Sequence, residues 1–433
     1  MDPTQLNWLP ASDAARAIRD GAFSAEQLMQ ACLARVKEID PQVQAWVFLD
    51  EAHALAQARA RDLDRAEGRP TGPLHGVPVA IKDIIDTCDM PTEDGTVLHA
   101  GRTPARDAAV VASLRAAGAV IMGKTVTTEC ATYAPGVCSA LCGSAAAVAA
   151  GMAPLALGSQ TNGSVIRPAA FCGVYGFKPT FGLVPRTGVM KLSRTLDHVG
   201  MFARSIDDLA LLAEVLVGWD ADDPDTQPRA RIPFMQVAAQ EPPLPPLLGF
   251  IKPPVWDRAD SDTREAFAEL AEQMKDCVVE IELPSSTAGM LDWHRTIMEA
   301  EMAANLDREF EQGKDRLSES LRTQLERGRE LRAFDYQRAL ARIPLLNAAF
   351  DEMFERCDAF LTPAAPGAAP KGLDYTGDPS FCSLWTLCGM PALSLPLLQA
   401  TNGLPMGVQL VGPRGSDARL LRTAQWLVRR LEE

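Results

Sequence analysis

The sequence contains no recognisable pattern of metal ligands. Its ten cysteines include no CxxC pair, and its five histidines are isolated from one another. Zinc sites gather cysteine and histidine ligands at short spacings, so we expect this chain to hold no metal. Cysteines scattered in this way are typical of reduced, buried thiols, which favours a cytoplasmic protein.

Long apolar runs are also missing. No stretch reaches the ~20 apolar residues that span a bilayer, and residues 1–21 lack the basic segment and apolar run of a secretory signal. Positive charge is in deficit as well, because the 433 residues carry a formal net charge of −14, which repels nucleic-acid phosphates. We therefore expect a small-molecule substrate rather than a nucleic acid or a membrane, and we leave a homodimer open.

Several common catalytic motifs are absent too. The chain has no G-x-S-x-G, S-x-x-K or HExxH segment. Residues 118–125, GAVIMGKT, formally match a phosphate-binding loop, but apolar residues fill the positions between the glycines, so we interpret them as a strand with a polar end. His75 and His198 are the histidines available for a Ser-His-Asp triad, and such lone histidines are more often structural.

Helix and strand patterns alternate along the chain. Ser24 and Gln27 form a predicted capping box, and a Val- and Ile-rich strand ends at Lys82. This alternation predicts an α/β fold with a parallel or mixed sheet. We expect one domain over 1–433, with N-terminal helices in 1–68, a catalytic core in 69–218, a connector and helical cap in 219–357, and C-terminal strands and a helix in 358–433.

Lys82 is a candidate general base. It closes a strand of Val, Ala and Ile, where poor solvation disfavours a charged ammonium group. A neutral lysine can accept a proton from a hydroxyl nucleophile. The alternative is that Lys82 forms a structural ion pair with Asp83 or Asp86.

Ser164 is a candidate nucleophile in the segment Thr161-Asn162-Gly163-Ser164. Gly163 permits close backbone approach, and consecutive amides beside a hydroxyl are what an oxyanion hole requires. Arg167 is a lone charge in an apolar stretch. It is suited to bind a substrate carboxylate, or alternatively a structural aspartate or a chain terminus.

These segments together resemble the amidase signature family. The matching runs are GPLHGVPVAIKD around Lys82, GSAAAVAAGMAPLALGSQTNGSVIRPAAFCGVYGFKP around Ser164, LDHVGMFARSIDDLALLAEVL after it, and GMPALSLPL and GLPMGVQLVG near the end. The resemblance covers nearly the whole chain. It implies a single large α/β domain with a mixed, twisted central sheet surrounded by helices, and cleavage of carboxylic amides without a cofactor.

The resemblance also implies roles for individual residues. Members of the family use a Ser–cis-Ser–Lys triad, so Lys82 is the expected base and Ser164 the expected nucleophile of an acyl-enzyme mechanism. The amides of Thr161, Asn162, Gly163 and Ser164 are the expected oxyanion hole. The segment VIRPA with Arg167 is similar to that of malonamidase-type members, where the arginine holds a substrate carboxylate.

The sequence departs from the family at the relay serine of the triad. Counting back from Ser164 places that position at Ala140, which has no hydroxyl, while Ser139 stands one residue away. An impaired, amidase-like binding protein is therefore one alternative to an active amidohydrolase. A second alternative is an amidotransferase-type subunit that delivers ammonia to a partner enzyme.

Overall fold

One mixed β-sheet runs through the part of the chain that the computed structural model describes, residues 3–132, 143–372 and 375–432. Its strands are β1 (Trp46–Phe48), β2 (Pro78–Lys82), β3 (Val120–Thr125), β4 (Leu155–Gln160), β5 (Tyr175–Lys178), β6 (His198–Ala203), β7 (Leu248–Ile251), β8 (Val278–Ile281), β9 (Ala359–Pro363), β10 (Ala392–Gln399) and β11 (Pro405–Val411). They are ordered β1-β3-β2-β4-β6-β5-β10-β11-β9-β7-β8. The predicted α/β domain with a mixed sheet is confirmed.

Helices surround this sheet. They are α1 (Ala11–Asp20), α2 (Ala25–Val43), α3 (Glu51–Ala66), α4 (Ala109–Ala116), α5 (Gly143–Ala149), α6 (Ile166–Cys172), α7 (Ile206–Leu216), α8 (Phe234–Ala238), α9 (Ser261–Gln273), α10 (Met290–Asn305), α11 (Asp307–Gly313), α12 (Glu319–Glu330), α13 (Ala333–Leu340), α14 (Arg342–Met353), α15 (Ser380–Leu387) and α16 (Asp417–Glu432). The predicted capping box of Ser24 and Gln27 begins α2. Among the described helices, none is both long enough and apolar enough to cross a bilayer.

The segment that resembles a phosphate-binding loop is a buried strand. Val120–Thr125 forms β3, and the Lys124 side chain is fully buried within the fold. Its ammonium group donates to the carbonyl of Ile85 at 2.5 Å and to the hydroxyl of Thr92 at 2.6 Å. Burial lowers the pKa of Lys124 to about 8. The lysine therefore ties a neighbouring loop to the sheet and is not available to a phosphate.

Parallel strands place two polar side chains at one edge of the sheet. β2 lies between β3 and β4 and runs parallel to both. Lys82 ends β2, while Ser159 is the penultimate residue of β4. Because the carboxyl ends of parallel strands meet at one sheet edge, these two residues lie side by side and the chain that follows β4 crosses the same edge.

The helices α10 to α14, which we call the cap, are joined to the core by apolar packing. Met302 of α10 and Leu321 and Leu325 of α12 pack in one buried cluster with Leu192, which precedes β6. Burial of a leucine or methionine side chain contributes roughly 1.5–3 kcal/mol. The cap is therefore held against the same sheet edge at which β2 and β4 end.

Candidate active site

A cavity of about 270 Å³ lies at this sheet edge. Lys82 lines it from the end of β2, Ser164 from the connection between β4 and α6, and Arg167 from the first turn of α6. Thr161, Asn162 and Gly163 line it as well. The structure therefore brings the predicted base, the predicted nucleophile and the four predicted substrate-binding residues into one cavity.

The Lys82 ammonium group is held at the floor of the cavity. It donates a hydrogen bond of 3.0 Å to the hydroxyl of Ser159. The two neighbouring carboxylates that offered a structural role have other partners. Asp86 accepts from Arg102 at 2.9 Å, and Asp83 accepts from the amide of Glu93. Ser159 thus fixes the side chain that the sequence marks as a base.

The loop that carries Ser164 is shaped by the side chain before it. The amide oxygen of Gln160 accepts from the backbone N–H groups of Val165 at 2.8 Å and Ile166 at 3.0 Å. These bonds occupy the first donors of α6, which would otherwise be unsatisfied. The loop between Gln160 and α6 is consequently drawn into a tight arch over the sheet edge.

Gly163 occupies a place in this arch that no larger residue fits. A Cβ atom added there would lie 2.9 Å from the Cβ of Pro379 and 3.3 Å from that of Cys382. Such separations are below normal carbon contact distances. Close packing against the start of α15, rather than an unusual φ angle, therefore requires glycine at this position.

Thr161 is anchored on the side of the arch facing β6. Its hydroxyl donates to Asp197 at 2.6 Å, and the same carboxylate accepts from the backbone N–H groups of Leu192 and Ser193 at 2.9 Å each. Burial raises the pKa of Asp197 to about 6. Three donors on one carboxylate connect the arch to the loop that also supplies Leu192 to the cavity wall.

The arch presents unpaired backbone donors. The N–H groups of Asn162, Gly163 and Ser164 have no acceptor among the described residues, whereas the Gly163 carbonyl accepts from the Arg167 amide at 3.0 Å. Consecutive free N–H groups beside a hydroxyl can stabilise negative charge on a carbonyl oxygen. This arrangement has the chemistry of an oxyanion hole.

The Arg167 guanidinium is buried at the cavity wall. The residue is 7% exposed, and its Nη1 donates a hydrogen bond of 2.8 Å to the carbonyl oxygen of Gly377. Its Nε group has no partner in the described part of the chain. The partner found is thus a backbone carbonyl, not the structural aspartate considered from the sequence. A guanidinium residue that lines the cavity suits an anionic ligand.

The remaining wall of the cavity is largely apolar. Leu192 and Phe202 line it from the core, and Met298 and Met302 line it from α10 of the cap, with Gln324 of α12 nearby. Methionine side chains adapt to ligands of different shape.

The two histidines considered for a triad do not reach this cavity. His75 is buried and its Nε2 is bonded to the carbonyl of Arg61 at 2.9 Å. His198 donates through Nδ1 to the carbonyl of Leu196, and burial lowers its pKa. Neither residue lines the cavity that contains Ser164, so Lys82 is the side chain of the described site that is suited to accept a proton.

One cluster of side chains outside the cavity has atoms suited to bind a metal ion. Cys88, Asp89 and Asp107 place ligand atoms within 4.8 Å of one another. However, both carboxylates accept hydrogen bonds from the Arg115 guanidinium, at 2.7 and 2.9 Å. The positive charge of Arg115 already compensates them, so we assign no metal to this group.

Two sequence predictions fall on residues that the structure does not describe. Ser139 and the relay position Ala140 lie outside the described residues. Conversely, Ser159 and Gln160, which hold Lys82 and the arch, were not predicted from the sequence. Ser159 and Gln160 lie five and four residues before Ser164, at the end of an apolar run. This position is the sequence feature that could have identified them as site residues.

Comparison with known proteins identifies the family. A family model described as Amidase matches residues 27–141 and 131–421, two segments that overlap around the departure at Ala140. The chain is 34% identical over 475 aligned residues to a subunit of glutamyl-tRNA(Gln) amidotransferase from Chloroflexus aggregans, covering 97% of this chain and 96% of that protein.

Solved structures agree with this assignment. A crystal structure of an amidase superposes with a TM-score of 0.85 at 29% identity, covering 98% of this chain and 100% of the other. The native peptide amidase of Stenotrophomonas maltophilia gives a TM-score of 0.83 at 28% identity, covering 98% and 97%. The chain therefore belongs to the amidase family and is an amide-cleaving hydrolase.

Proposed function

We propose that this protein hydrolyses a small carboxylic amide to an acid and ammonia or an amine, through an acyl-enzyme on Ser164 with Lys82 as base. The observation that carries the proposal is the shared cavity. Lys82, Ser164 and the residues whose backbone N–H groups have no acceptor in the described structure all line one cavity. Acyl transfer needs these three elements together.

The chemistry follows from these groups. Neutral Lys82 takes up the proton of the Ser164 hydroxyl, through a relay hydroxyl where one is present, while Oγ attacks the amide carbonyl carbon. The N–H groups of Asn162, Gly163 and Ser164 stabilise the oxyanion of the tetrahedral intermediate. The proton then passes to the leaving nitrogen as the C–N bond breaks, and water hydrolyses the ester by the same steps.

The residue at the relay position determines the rate of this acyl-enzyme reaction. The family passes the proton through a serine hydroxyl, and Ala140 offers none. We therefore expect slow turnover in this chain, unless Ser139 takes the relay role. General-base catalysis contributes roughly 10²- to 10⁴-fold, which sets the scale of the deficit.

Arg167 and the apolar wall define the substrate class. The Arg167 guanidinium, which carries a permanent positive charge and lines the cavity, is suited to a carboxylate. The wall of Leu192, Phe202 and Met298 is suited to a hydrocarbon spacer. A cavity of about 270 Å³ limits the substrate to a small molecule. We propose a small amide that also carries a carboxylate.

The test is ammonia or amine release from a panel of small amides by the purified chain. We expect measurable turnover, none above background in Ser164→Ala, and an increase of at least about tenfold in Ala140→Ser because the relay hydroxyl is restored. Efficient turnover by the unchanged chain with no gain in Ala140→Ser would contradict the relay assignment. Turnover that survives Ser164→Ala would contradict the nucleophile.

The relatives favour one second candidate. The similar Chloroflexus aggregans protein is named as part of an amidotransferase, so this chain would release ammonia for a partner enzyme. Copurification from the native cell, followed by amide assays with and without the bound protein, separates the two functions. Full hydrolytic activity of the isolated chain favours the amidohydrolase, and activity that requires a copurifying partner favours the amidotransferase.

A further inference from the structure

The cap reaches the backbone of the arch through one buried side chain. His294 of α10 lies with Nε2 at 2.9 Å from the carbonyl oxygen of Thr161, 133 residues away in sequence. The residue is 2% exposed. This contact connects α10 directly to the peptide that precedes the unpaired N–H groups.

The direction of this hydrogen bond is fixed by its partner. A carbonyl oxygen only accepts, so Nε2 of His294 carries the hydrogen. Burial lowers the pKa of His294 to about 4, so the ring is neutral at neutral pH and keeps this single N–H donor in place. The bond does not depend on a change of charge within the working range of most enzymes.

Holding a carbonyl also sets the direction of the next amide. Within one planar trans peptide the C=O and N–H groups point in opposite directions. The bond from His294 to the Thr161 carbonyl therefore orients the N–H of Asn162. On the next peptide, the hydroxyl of Thr386 donates to the Asn162 carbonyl at 2.6 Å and orients the N–H of Gly163 in the same way.

We propose that His294 is a positioning residue that turns the Asn162 N–H group toward the reacting carbonyl. The inference rests on the proposed function, because it assigns the orientation of an oxyanion-hole donor. It gives the cap a part in the reaction besides closing the cavity. Loss of one such donor costs about 10²- to 10³-fold in kcat, and misorientation costs less.

The experiment compares His294→Phe, His294→Gln and a matched control, His75→Phe. His75 is also buried and also makes a 2.9 Å bond between Nε2 and a backbone carbonyl, but it lies outside the cavity. We expect His294→Phe to lower kcat about 10- to 100-fold with KM changed less than about threefold. His294→Gln, which retains a donor, should restore most of kcat, and His75→Phe should leave it near the parent value.

The midpoint of thermal unfolding is measured for all three variants alongside the kinetic constants, so that a loss of folded protein is recognised. Equal kcat values in His294→Phe and His75→Phe at similar stability would overturn the inference, as would a kcat loss that His294→Gln does not relieve. A parent chain that turns over no amide would instead reject the proposed function.

A second measurement needs no turnover. Amide hydrogen exchange over residues 155–172 should accelerate in His294→Phe and stay unchanged in His75→Phe, because the arch loses one of its anchors. Unchanged exchange in His294→Phe would overturn the positioning role even in an inactive enzyme.

Discussion

At the scale of single residues, Arg167 carries the most information about the substrate. Its guanidinium is buried beside the loop that carries Ser164, lines the cavity and donates to one backbone carbonyl. A permanently charged group in such a place is costly unless a ligand compensates it. The missing compensation is what a carboxylate on the substrate would supply.

Replacement of this charge gives a prediction about specificity. Arg167→Gln should raise KM for carboxylate-bearing amides about 10- to 100-fold, since a hydrogen bond to a charged group contributes about 1.5–3 kcal/mol. KM for neutral amides of the same length should change much less. Steady-state kinetics on paired amides that differ only in the carboxylate provide the measurement, and equal losses on both members of a pair would make Arg167 structural.

At the scale of the elements, the sequence predicts those parts that depend on neighbouring residues. The capping box that begins α2 and the Ser205 cap that begins α7 follow from side chains within three positions of the helix start. β4 is different, because all six of its residues are buried and show no alternation of polar and apolar side chains. Its strand pairing is set by β2 and β6, which lie far away in the chain.

The same limit applies to the site. The loop that carries Ser164 is a local motif, so Ser164 and its neighbours can be identified in the sequence. His294, Met298 and Thr386 reach the loop only through the packing of the cap and of α15. The residues next to them in the sequence do not indicate this proximity. Contacts that depend on long-range packing are therefore the part of the site that a single sequence does not predict.

The edge of β5 supports a prediction about stability. Lys178 ends this strand, is fully buried and donates to the carbonyl of Met390. Burial lowers its pKa to about 7, with Asp417 opposing the shift, and the groups of His198 and Cys388 also lie near it. The folded state therefore loses this proton near pH 7, whereas an unfolded lysine keeps it to about pH 10.4.

Between these values the unfolded state binds more protons, so the free energy of unfolding should rise with pH by up to about 1.4 kcal/mol per unit. Lys178→Met should lower the slope of this rise, and the part due to buried Lys124 should remain. Urea unfolding between pH 7.5 and 9.5 measures it, with Lys252→Met as the control because Lys252 lies on the surface in an ion pair with Glu280. An identical slope in Lys178→Met and the parent would reject the assignment.

At the scale of the whole molecule, the sheet joins segments from both ends of the chain around one edge. β2 and β4 supply the lysine and the arch, α10 and α12 supply the facing wall, and α15 closes the arch from behind. A single domain is thus needed to assemble the cavity. This explains why the resemblance over nearly the whole chain predicts the fold so well.

The central claim is that Ser164 forms the acyl-enzyme, and covalent trapping tests it most directly. The chain is incubated with a serine-directed fluorophosphonate and mapped by mass spectrometry, with fragmentation that separates Ser164 from Ser144 and Ser159. We expect one adduct on Ser164, none in Ser164→Ala, and slower labelling in Lys82→Ala because the base is lost. An adduct on another serine, or amide turnover with Ser164 unlabelled and dispensable, would contradict the account.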